Sequence, residues 1–278
     1  MAGAIRWFFS GLSKILPETL SEKIHHAAIR IYHRKSIRDF RRKDFPNLPV
    51  IKCEIGYNKF GIYCVPSSSR SRPAAHKILS NLVHELDTIS FIREQCNEGD
   101  IIHAGTYFGD FLPAISSACS GVVWAFEPNQ QNHHCAKVTI LMNGLENVKL
   151  HHAGLSSSNE ELFVQTKDDE GKDLGGSSRI VEQGIEGSDS VSTYAIDSAV
   201  PEERVISIIQ LDVEGYEVSA LQGAMSSIRR CLPILILESE EGATFFEEQW
   251  FKENILSLGY SESRRLDENR VFEVQAKN

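Results

Sequence analysis

Short apolar runs of strand length recur along the later part of the chain: IIHA (101–104), VVWAF (122–126), VKLHH (148–152), ISIIQLDV (206–213) and PILILE (233–238). Between them lie segments whose apolar residues return every three or four positions, such as NQQNHHCAKVTILMNG (129–144) and EVSALQGAMSSIRRC (217–231). A two-residue period means a strand and a 3.6-residue period a helix, so strict alternation of the two predicts an α/β fold built on a mostly parallel, doubly wound sheet. Upstream, AAHKILSNLVHELDTISFIREQC (74–96) carries Ile78, Leu82, Leu86, Ile89 and Ile92 at helical spacing and predicts one helix leading into the first strand. The C-terminal stretch from Glu253 reads as helix, strand, turn and closing strand.

The first residues follow another pattern. Ile5, Phe8, Phe9, Leu12, Ile15 and Leu16 form one helical apolar stripe opposite Ser10, Ser13 and Lys14. Proline- and serine-rich breaks at PNLPV (46–50) and VPSSSRSRP (65–73) separate this head from the body. The expected division is a basic, largely helical extension over 1–75 and a second domain over 76–278.

Charge sharpens that division. The formal charge of the 278 residues is −9, yet residues 1–50 hold ten Lys and Arg against four Asp and Glu, so the head is +6 and the remainder −15. An acidic body argues against a nucleic-acid partner, because phosphate binding depends on clustered cations. The apolar stripe, Arg6, Lys14 and the run HRKSIRDFRRKDF (33–45) fit a helix docked on the protein's own body or a peripheral membrane contact. Six scattered cysteines show no metal-ligand or disulfide spacing, and no stretch has the length of a membrane span or the form of a signal peptide. The expected setting is the cytoplasm, with a peripheral membrane position left open. Adjacent histidines, His133/His134 and His151/His152, aim apart on a helix or strand, so no metal is expected.

Candidate chemistry gathers where strands end. In DIIHAGTYFGDF (100–111), Gly105 and Gly109 bracket Thr106, Tyr107 and Phe108, a tight turn whose backbone N–H groups can approach a ligand. The second strand ends in Glu127, 22 residues after Gly105, where an acid can accept hydrogen bonds from both ribose hydroxyls. As a helix-flanking acid before Pro128, Glu127 has a structural reading too. The turn reads G-T-Y-F-G, without the G-x-G-x-x-G of dinucleotide sites, and no phosphate-binding P-loop occurs. A cofactor with adenine and ribose but no phosphate, S-adenosylmethionine, fits what remains.

At this point the chain resembles the FkbM family of S-adenosylmethionine-dependent methyltransferases, from about Asp100 to the C-terminus. The resemblance rests on IIQLDVEGYEVSALQGAMSSIRRCLPILILE (208–238), on SVSTYAID (190–197) and on the acid, proline, helix and N-G-L-x-N-V turn within 123–162. It implies a Rossmann-like class I methyltransferase fold with an antiparallel C-terminal strand, joined here to the N-terminal helical extension. It also implies a cofactor site at His103, Gly105, Thr106, Tyr107, Phe108, Gly109, Asp110, Glu127, Pro128 and Asp212. Family members usually carry an acid where this chain has His103, and Asp110 is placed to replace part of that contact.

Ala153, Gly154 and Leu155, after the third strand, are placed to pack on adenine. Asp212 and Glu214, at the end of the fourth strand, are the expected catalytic acids; Gly215 lets the chain turn there, and Glu217 reads as a first-turn helix acid. Glu238 is a further carboxylate at a strand end, and the polar stretch over 167–190 is a loop or hairpin on the ligand face, with Ser177, Ser178 and Arg179 near the acceptor. The expected activity is O-methylation of a hydroxyl on a saccharide or small metabolite. N-methylation of an amide or amine and a non-catalytic nucleoside-binding module stay open beside it. The head is expected to complete the cleft, form a homodimer or touch a membrane.

Overall fold

The computed structural model describes residues 52–96, 98–168, 170–171, 174–181, 188–239 and 244–274, the side chain at 176 excepted. Contacts divide the chain into two units, Met1–Asn47 and Leu48–Asn278, and every described residue lies in the second. The apolar stripe of the head, Arg6, Lys14 and the basic run over 33–45 lie outside the described residues.

Strands β1 (Cys53–Tyr57) and β2 (Ile62–Pro66) form an antiparallel hairpin within the segment where a helical head is expected. The division between the two units falls before this hairpin rather than near residue 75. The hairpin is tied to helix α4 (Gln130–Asn143) by polar side chains. Asn143 Oδ1 accepts from the Ile62 amide at 3.0 Å, and Thr139 Oγ1 accepts from the Cys64 amide at 3.1 Å.

One helix expected over 74–96 is two: α1 (Pro73–Leu79) and α2 (Leu86–Gln95). Between them Asn81 and Glu85 take left-handed backbone conformations, φ 64° and 43°, which a right-handed helix cannot continue through. Leu82, counted in the apolar stripe, is accordingly 57 % exposed. The segment over 217–231 also divides, into α6 (Glu217–Gln222) and α7 (Met225–Cys231), where Gly223 passes against the chain at Ser156 and Ala195.

The central sheet comprises β3 (Asp100–Ala104), β4 (Val123–Phe126), β5 (Val148–His151), β10 (Ile206–Leu211), β11 (Ile234–Glu238), β12 (Tyr260–Leu266) and β13 (Asn269–Val274), in the order β12-β13-β11-β10-β3-β4-β5. The pairings among β5, β4, β3, β10 and β11 are parallel, and β13 runs antiparallel to both its neighbours. Every residue of β3 is buried, as a strand covered on both faces requires. Ile102, Ala104, Ile209 and Leu211 face one core with Ala220, Leu221 and Ile228 of α6 and α7; Ile101, Ile208 and Ile236 face the other with Ile89 and Ile92 of α2 and Leu112 and Ile115 of α3 (Leu112–Ser116). This is the Rossmann-like class I arrangement. Strand order reverses between β3 and β10, and a crevice opens at the carboxyl ends there.

A second sheet, β6 (Gly154–Leu155), β9 (Ser188–Tyr194), β7 (Glu160–Gln165) and β8 (Arg179–Val181) in that order, takes up the described part of the polar insertion. Of the loop and the hairpin that the sequence leaves open, the structure has the hairpin, β7 with β8, and β7 pairs onward to β9, because Val164, Ile180 and Val191 are enough to bury one face.

A Cβ added at Gly223 would lie 2.1 Å from the Ser156 carbonyl oxygen and 3.0 Å from Ala195 Cα. Gly223→Ala is therefore expected to destabilise the protein by about 1–3 kcal/mol, the usual cost of overpacking, measured as the urea midpoint; an unchanged midpoint would show that the backbones do not meet there.

Candidate active site

The crevice at the switch point is lined by Ala104, Gly105, Phe126, Glu127, Pro128, Gly154, Leu155, Ser178, Ile180, Asp212 and Val213. Its floor is the glycine turn. Gly105, Tyr107 and Gly109 all have positive φ, 80°, 52° and 82°, so the chain reverses immediately after β3. Gly105 has no substitute: a Cβ there would stand 1.8 Å from the carbonyl oxygen of Asp212, at the end of the neighbouring strand β10. Thr106 holds the turn from inside, its amide donating to Phe126 O at 3.2 Å and its hydroxyl to His103 O at 3.1 Å. From outside, the Thr139 hydroxyl donates to Phe108 O at 2.9 Å, so the hydroxyl that anchors the hairpin also anchors the turn.

Glu127 closes the opposite wall. It is 4 % exposed and accepts from the Tyr107 amide at 2.6 Å and the Asn129 amide at 2.9 Å, one on each carboxyl oxygen. Oε1 takes a second, longer bond from Asn132 Nδ2 at 3.5 Å, so Oε2 is the oxygen that keeps a lone pair for a further donor. Glu127 is not part of helix α4: Asn129 is the cap, its Oδ1 accepting from the Gln131 and Asn132 amides, and the helix begins at Gln130. Burial pushes the Glu127 carboxyl up to about 8, against the pull of its amide donors. Asn132 and Asn129 extend the wall to the second sheet, donating to Gly175 O at 3.0 Å and Ser178 Oγ at 3.1 Å.

The third wall carries the acids. Asp212 follows β10, and its carboxyl is driven well above the ordinary range by burial, then by the charge of Glu238 and a hydrogen bond with it, with Glu85 and Glu214 adding repulsion. Two hydrogen-bonded carboxyls must share a proton. Asp212 caps no helix: the N-cap of α6 is Tyr216. The next two residues wind tightly, Glu214 at φ 53° and Gly215 at φ 93°. Glu217, buried at 4 % exposure, accepts from the Val213 and Gly215 amides at 3.2 and 3.3 Å. The helix-dipole reading of Glu217 missed this role, although its place five residues after Asp212 in LDVEGYE was visible.

Of the residues expected at the cofactor site, Gly105, Glu127, Pro128, Gly154, Leu155 and Asp212 line the crevice. Thr106, Tyr107, Phe108 and Gly109 build the turn beneath it, and Ala153 is buried next to Gly154. His103 does not line the crevice. It is 2 % exposed, stacks on Phe111 with ring centroids 5.3 Å apart and hydrogen-bonds through Nδ1 to Gln210 Oε1 on β10. Burial holds the imidazole down to about 4 and therefore neutral. Asp110 and Glu214 likewise lie outside the lining. Sequence reasoning missed Ala104, Phe126, Ile180 and Val213; Ile180 Cδ1 would come within 2.4 Å of a Cβ on Gly154, so that glycine makes room for it. His133 and His152, from separate pairs, stack at 4.8 Å, and among the described residues no group of three or more His, Cys, Asp or Glu could hold a metal ion.

A crevice at the switch point, with a glycine turn below it and a carboxylate at the end of the second strand, lies where open α/β sheets take their ligands. The model of the methyltransferase FkbM domain matches residues 103–265, more than half of the chain, and the chain belongs to the FkbM methyltransferase family. Similar solved structures include the methyltransferase FkbM from Methylobacillus flagellatus KT, 18 % identical with a TM-score of 0.47 over 63 % of this chain and 43 % of that chain. A SAM-dependent methyltransferase from Aquifex aeolicus is 14 % identical with a TM-score of 0.38, covering 69 % and 92 %. The T. thermophilus 16S rRNA N2 G1207 methyltransferase, in complex with AdoMet and guanosine, is 14 % identical with a TM-score of 0.44, covering 84 % and 53 %. The chain spans less than half the length of the Methylobacillus protein. No curated protein matches it.

The raised carboxyl of Glu127 has a consequence for stability. A folded-state value of about 8 against an ordinary 4.5 means that the folded protein binds the proton more tightly, so this contribution is full below about 4.5 and is lost as the pH rises to 8. Glu127→Gln, which cannot ionise, is expected to raise the ligand-free melting temperature at pH 8 by about 3 °C or more and to leave it unchanged near pH 4. Thermal unfolding at the two pH values checks this; an equal shift at both would assign the effect to packing.

Proposed function

We propose that the chain transfers a methyl group from S-adenosylmethionine to a hydroxyl of a saccharide or small metabolite. One observation carries the reading: Gly105, Glu127 and Asp212, from three adjacent strand ends, line a single crevice at the switch point of the sheet. The residues present fit the cofactor. Glu127 keeps acceptor capacity for the ribose hydroxyls, Leu155, Ile180, Phe126 and Pro128 supply apolar surface for adenine, and the left-handed glycine turn admits a close backbone approach. When bound, S-adenosylmethionine supplies an electrophilic methyl on a sulfonium.

What the chain adds is alignment and a proton acceptor. Asp212 is the proposed base. Burial and the Glu238, Glu85 and Glu214 carboxyls raise its proton affinity above that of an exposed carboxylate, which makes it a stronger base. Glu217 acts as a positioning residue by gripping the amides on both sides of Glu214. The −15 charge beyond residue 50 supports a neutral small acceptor over nucleic acid. Among the described residues no helix is long and apolar enough to cross a membrane. A basic head that pairs two copies or touches a membrane surface, and a cytoplasmic setting, remain part of this proposal, with the head confined to the first unit, Met1–Asn47.

Two measurements test the reading. Calorimetric titration with S-adenosylhomocysteine is expected to show binding that weakens at least about tenfold in Glu127→Ala, as loss of charge-assisted hydrogen bonds implies, with NAD not binding. No binding by folded protein would support a non-catalytic relative of the fold instead. Labelled methyl transfer to a panel of saccharides and alcohols is expected to fall about 10²- to 10⁴-fold in Asp212→Asn. In wild type, activity should rise with pH through the raised Asp212 value, and Glu238→Gln should move that limb to lower pH. An unmoved limb would separate Asp212 from the proton transfer and favour N-methylation.

A further inference from the structure

Three polar side chains stand in a row across neighbouring strand ends. Leu211 of β10 pairs in parallel with Leu237 of β11, so the next residues, Asp212 and Glu238, are neighbours, and Glu238 lies directly opposite Asn269 of the antiparallel strand β13. Residues opposite each other in an antiparallel pair share one face, with Cβ atoms about 5 Å apart. Asn269 is 3 % exposed. Its amide nitrogen is fully engaged, donating to Glu85 Oε2 at 2.7 Å and to Thr88 Oγ1 at 3.4 Å. Thr88 is held in turn by the loop before β13, its amide and hydroxyl donating to Asp267 Oδ2 at 3.1 and 3.0 Å. These bonds fix which end of the Asn269 amide is nitrogen. The other end, Oδ1, is buried and has no hydrogen-bond partner. A buried carbonyl without a donor destabilises the fold, and the carboxyl across from it belongs to the pair that holds a proton. Arg270, the next residue, is turned to the opposite face, where it pairs with Glu262.

We propose that Asn269 is a positioning residue for the Asp212–Glu238 pair, its side-chain carbonyl accepting the O–H that the pair gains when it takes a proton from the methyl acceptor. The inference rests on the reading of Asp212 as base and adds a residue beyond the 103–265 match. At rest the two carboxyls share one proton, and the hydrogen bond between them uses it. When the acceptor oxygen takes the methyl, the carbon–sulfur electron pair stays on sulfur and the hydroxyl proton passes to Asp212. Both carboxyls then carry a proton. Only one O–H can lie between them, so the second needs an acceptor of its own. Asn269 Oδ1 fills that need: Glu238 turns its O–H from Asp212 to Asn269, and Asp212 donates to Glu238. Beyond burial, the groups acting on Asp212 are Glu238, Glu85 and Glu214, and those acting on Glu85 are Asp110, Asp267 and Glu238. His84 Nδ1, 3.5 Å from Glu85, is held neutral by burial and by Lys77, its value lowered to about 4. The carboxyls all raise the proton affinity of the row, whereas Asn269 supplies a neutral acceptor for the proton that arrives.

The pair can be titrated without any acceptor. Infrared difference spectra of the ligand-free full chain across pH read the carbonyl stretch of protonated carboxyls, and the bands lost in Asp212→Asn and in Glu238→Gln identify the pair. Asn269→Leu, which keeps the shape and removes the acceptor, is expected to lower the pH at which the pair takes its second proton by about one unit, the equivalent of one hydrogen bond, and to shift the Glu238 band. Asn269→Val takes its place if thermal unfolding shows that the leucine variant does not fold. In a Glu238→Gln background the same substitution should leave the titration of Asp212 where it is, since the carbonyl acts through Glu238. A purely structural role predicts a lower melting temperature with the titration unmoved, and that result in a folded variant overturns the inference. The two readings fail separately. An unmoved titration, with methyl transfer lost in Asp212→Asn, removes the role of Asn269 alone; full methyl transfer in Asp212→Asn removes Asp212 as base, and the role of Asn269 in the reaction with it.

Discussion

The closest approach in the site is made by backbone alone. At the end of β3 the chain passes so near the Asp212 carbonyl that a Cβ on Gly105 would sit 1.8 Å from that oxygen. Hydrogen bonding follows the contact, since the Asp212 amide donates to Ala104 O at 3.2 Å. Two strand ends from opposite halves of the sheet are thereby joined without side chains between them. The glycine turn, the acidic turn after β10 and the mouth of the crevice all take their places from this junction, and a substitution at Gly105 would separate the proposed base from the turn beneath the ligand.

Around the junction each loop is held by a polar side chain that works twice. Glu127 ties the glycine turn to the start of helix α4 through the Tyr107 and Asn129 amides. Thr139 ties the same turn to the N-terminal hairpin, and Glu217 ties both flanks of Glu214. Buried amides must find acceptors, and a loop that reverses within a few residues cannot supply them from its own carbonyls. These side chains do so. Tyr107, Glu214 and Glu85 all adopt left-handed backbone conformations, which an ordinary side chain tolerates only where its surroundings impose them.

The electrostatics run against folding and toward binding. Glu127, Asp110 and Glu85 all hold their protons more tightly in the folded chain than in water, because burial removes the hydration of the charged form. Asp100 provides the contrast. It is 1 % exposed, yet Arg204, Trp124 and the Val122 amide donate to it, and although burial opposes ionisation those donors hold its carboxyl below the ordinary range. At Asp100 the donors outweigh burial, whereas at Glu127 burial outweighs the amides that donate to it.

Periodicity and local motifs are properties of a few neighbouring residues, so the strand–helix alternation, the glycine turn, the acid at 127 and the D-V-E-G block were all legible in the amino-acid order. Places where distant segments meet were not. The helical stripe over 74–96 gives no sign that the chain breaks at Asn81 and Glu85, because what stabilises the break includes Asn58 and Asn269, which bond Leu82 O and Glu85 from far along the chain. The polar composition of 167–190 leaves loop and hairpin equally open, and only the pairing of β8 and of β9 with β7, which needs few apolar side chains, decides for a sheet. His103 shows the same limit: on sequence a cofactor contact and a strand histidine satisfied within the fold were both open, and only the packing of Phe111 and the bond to Gln210 place it in the core. The sequence by itself determined the fold class and the family, since those depend on local pattern. Tertiary structure alone decided which acids face one another and which amides they hold, because burial and proximity are set by the whole chain.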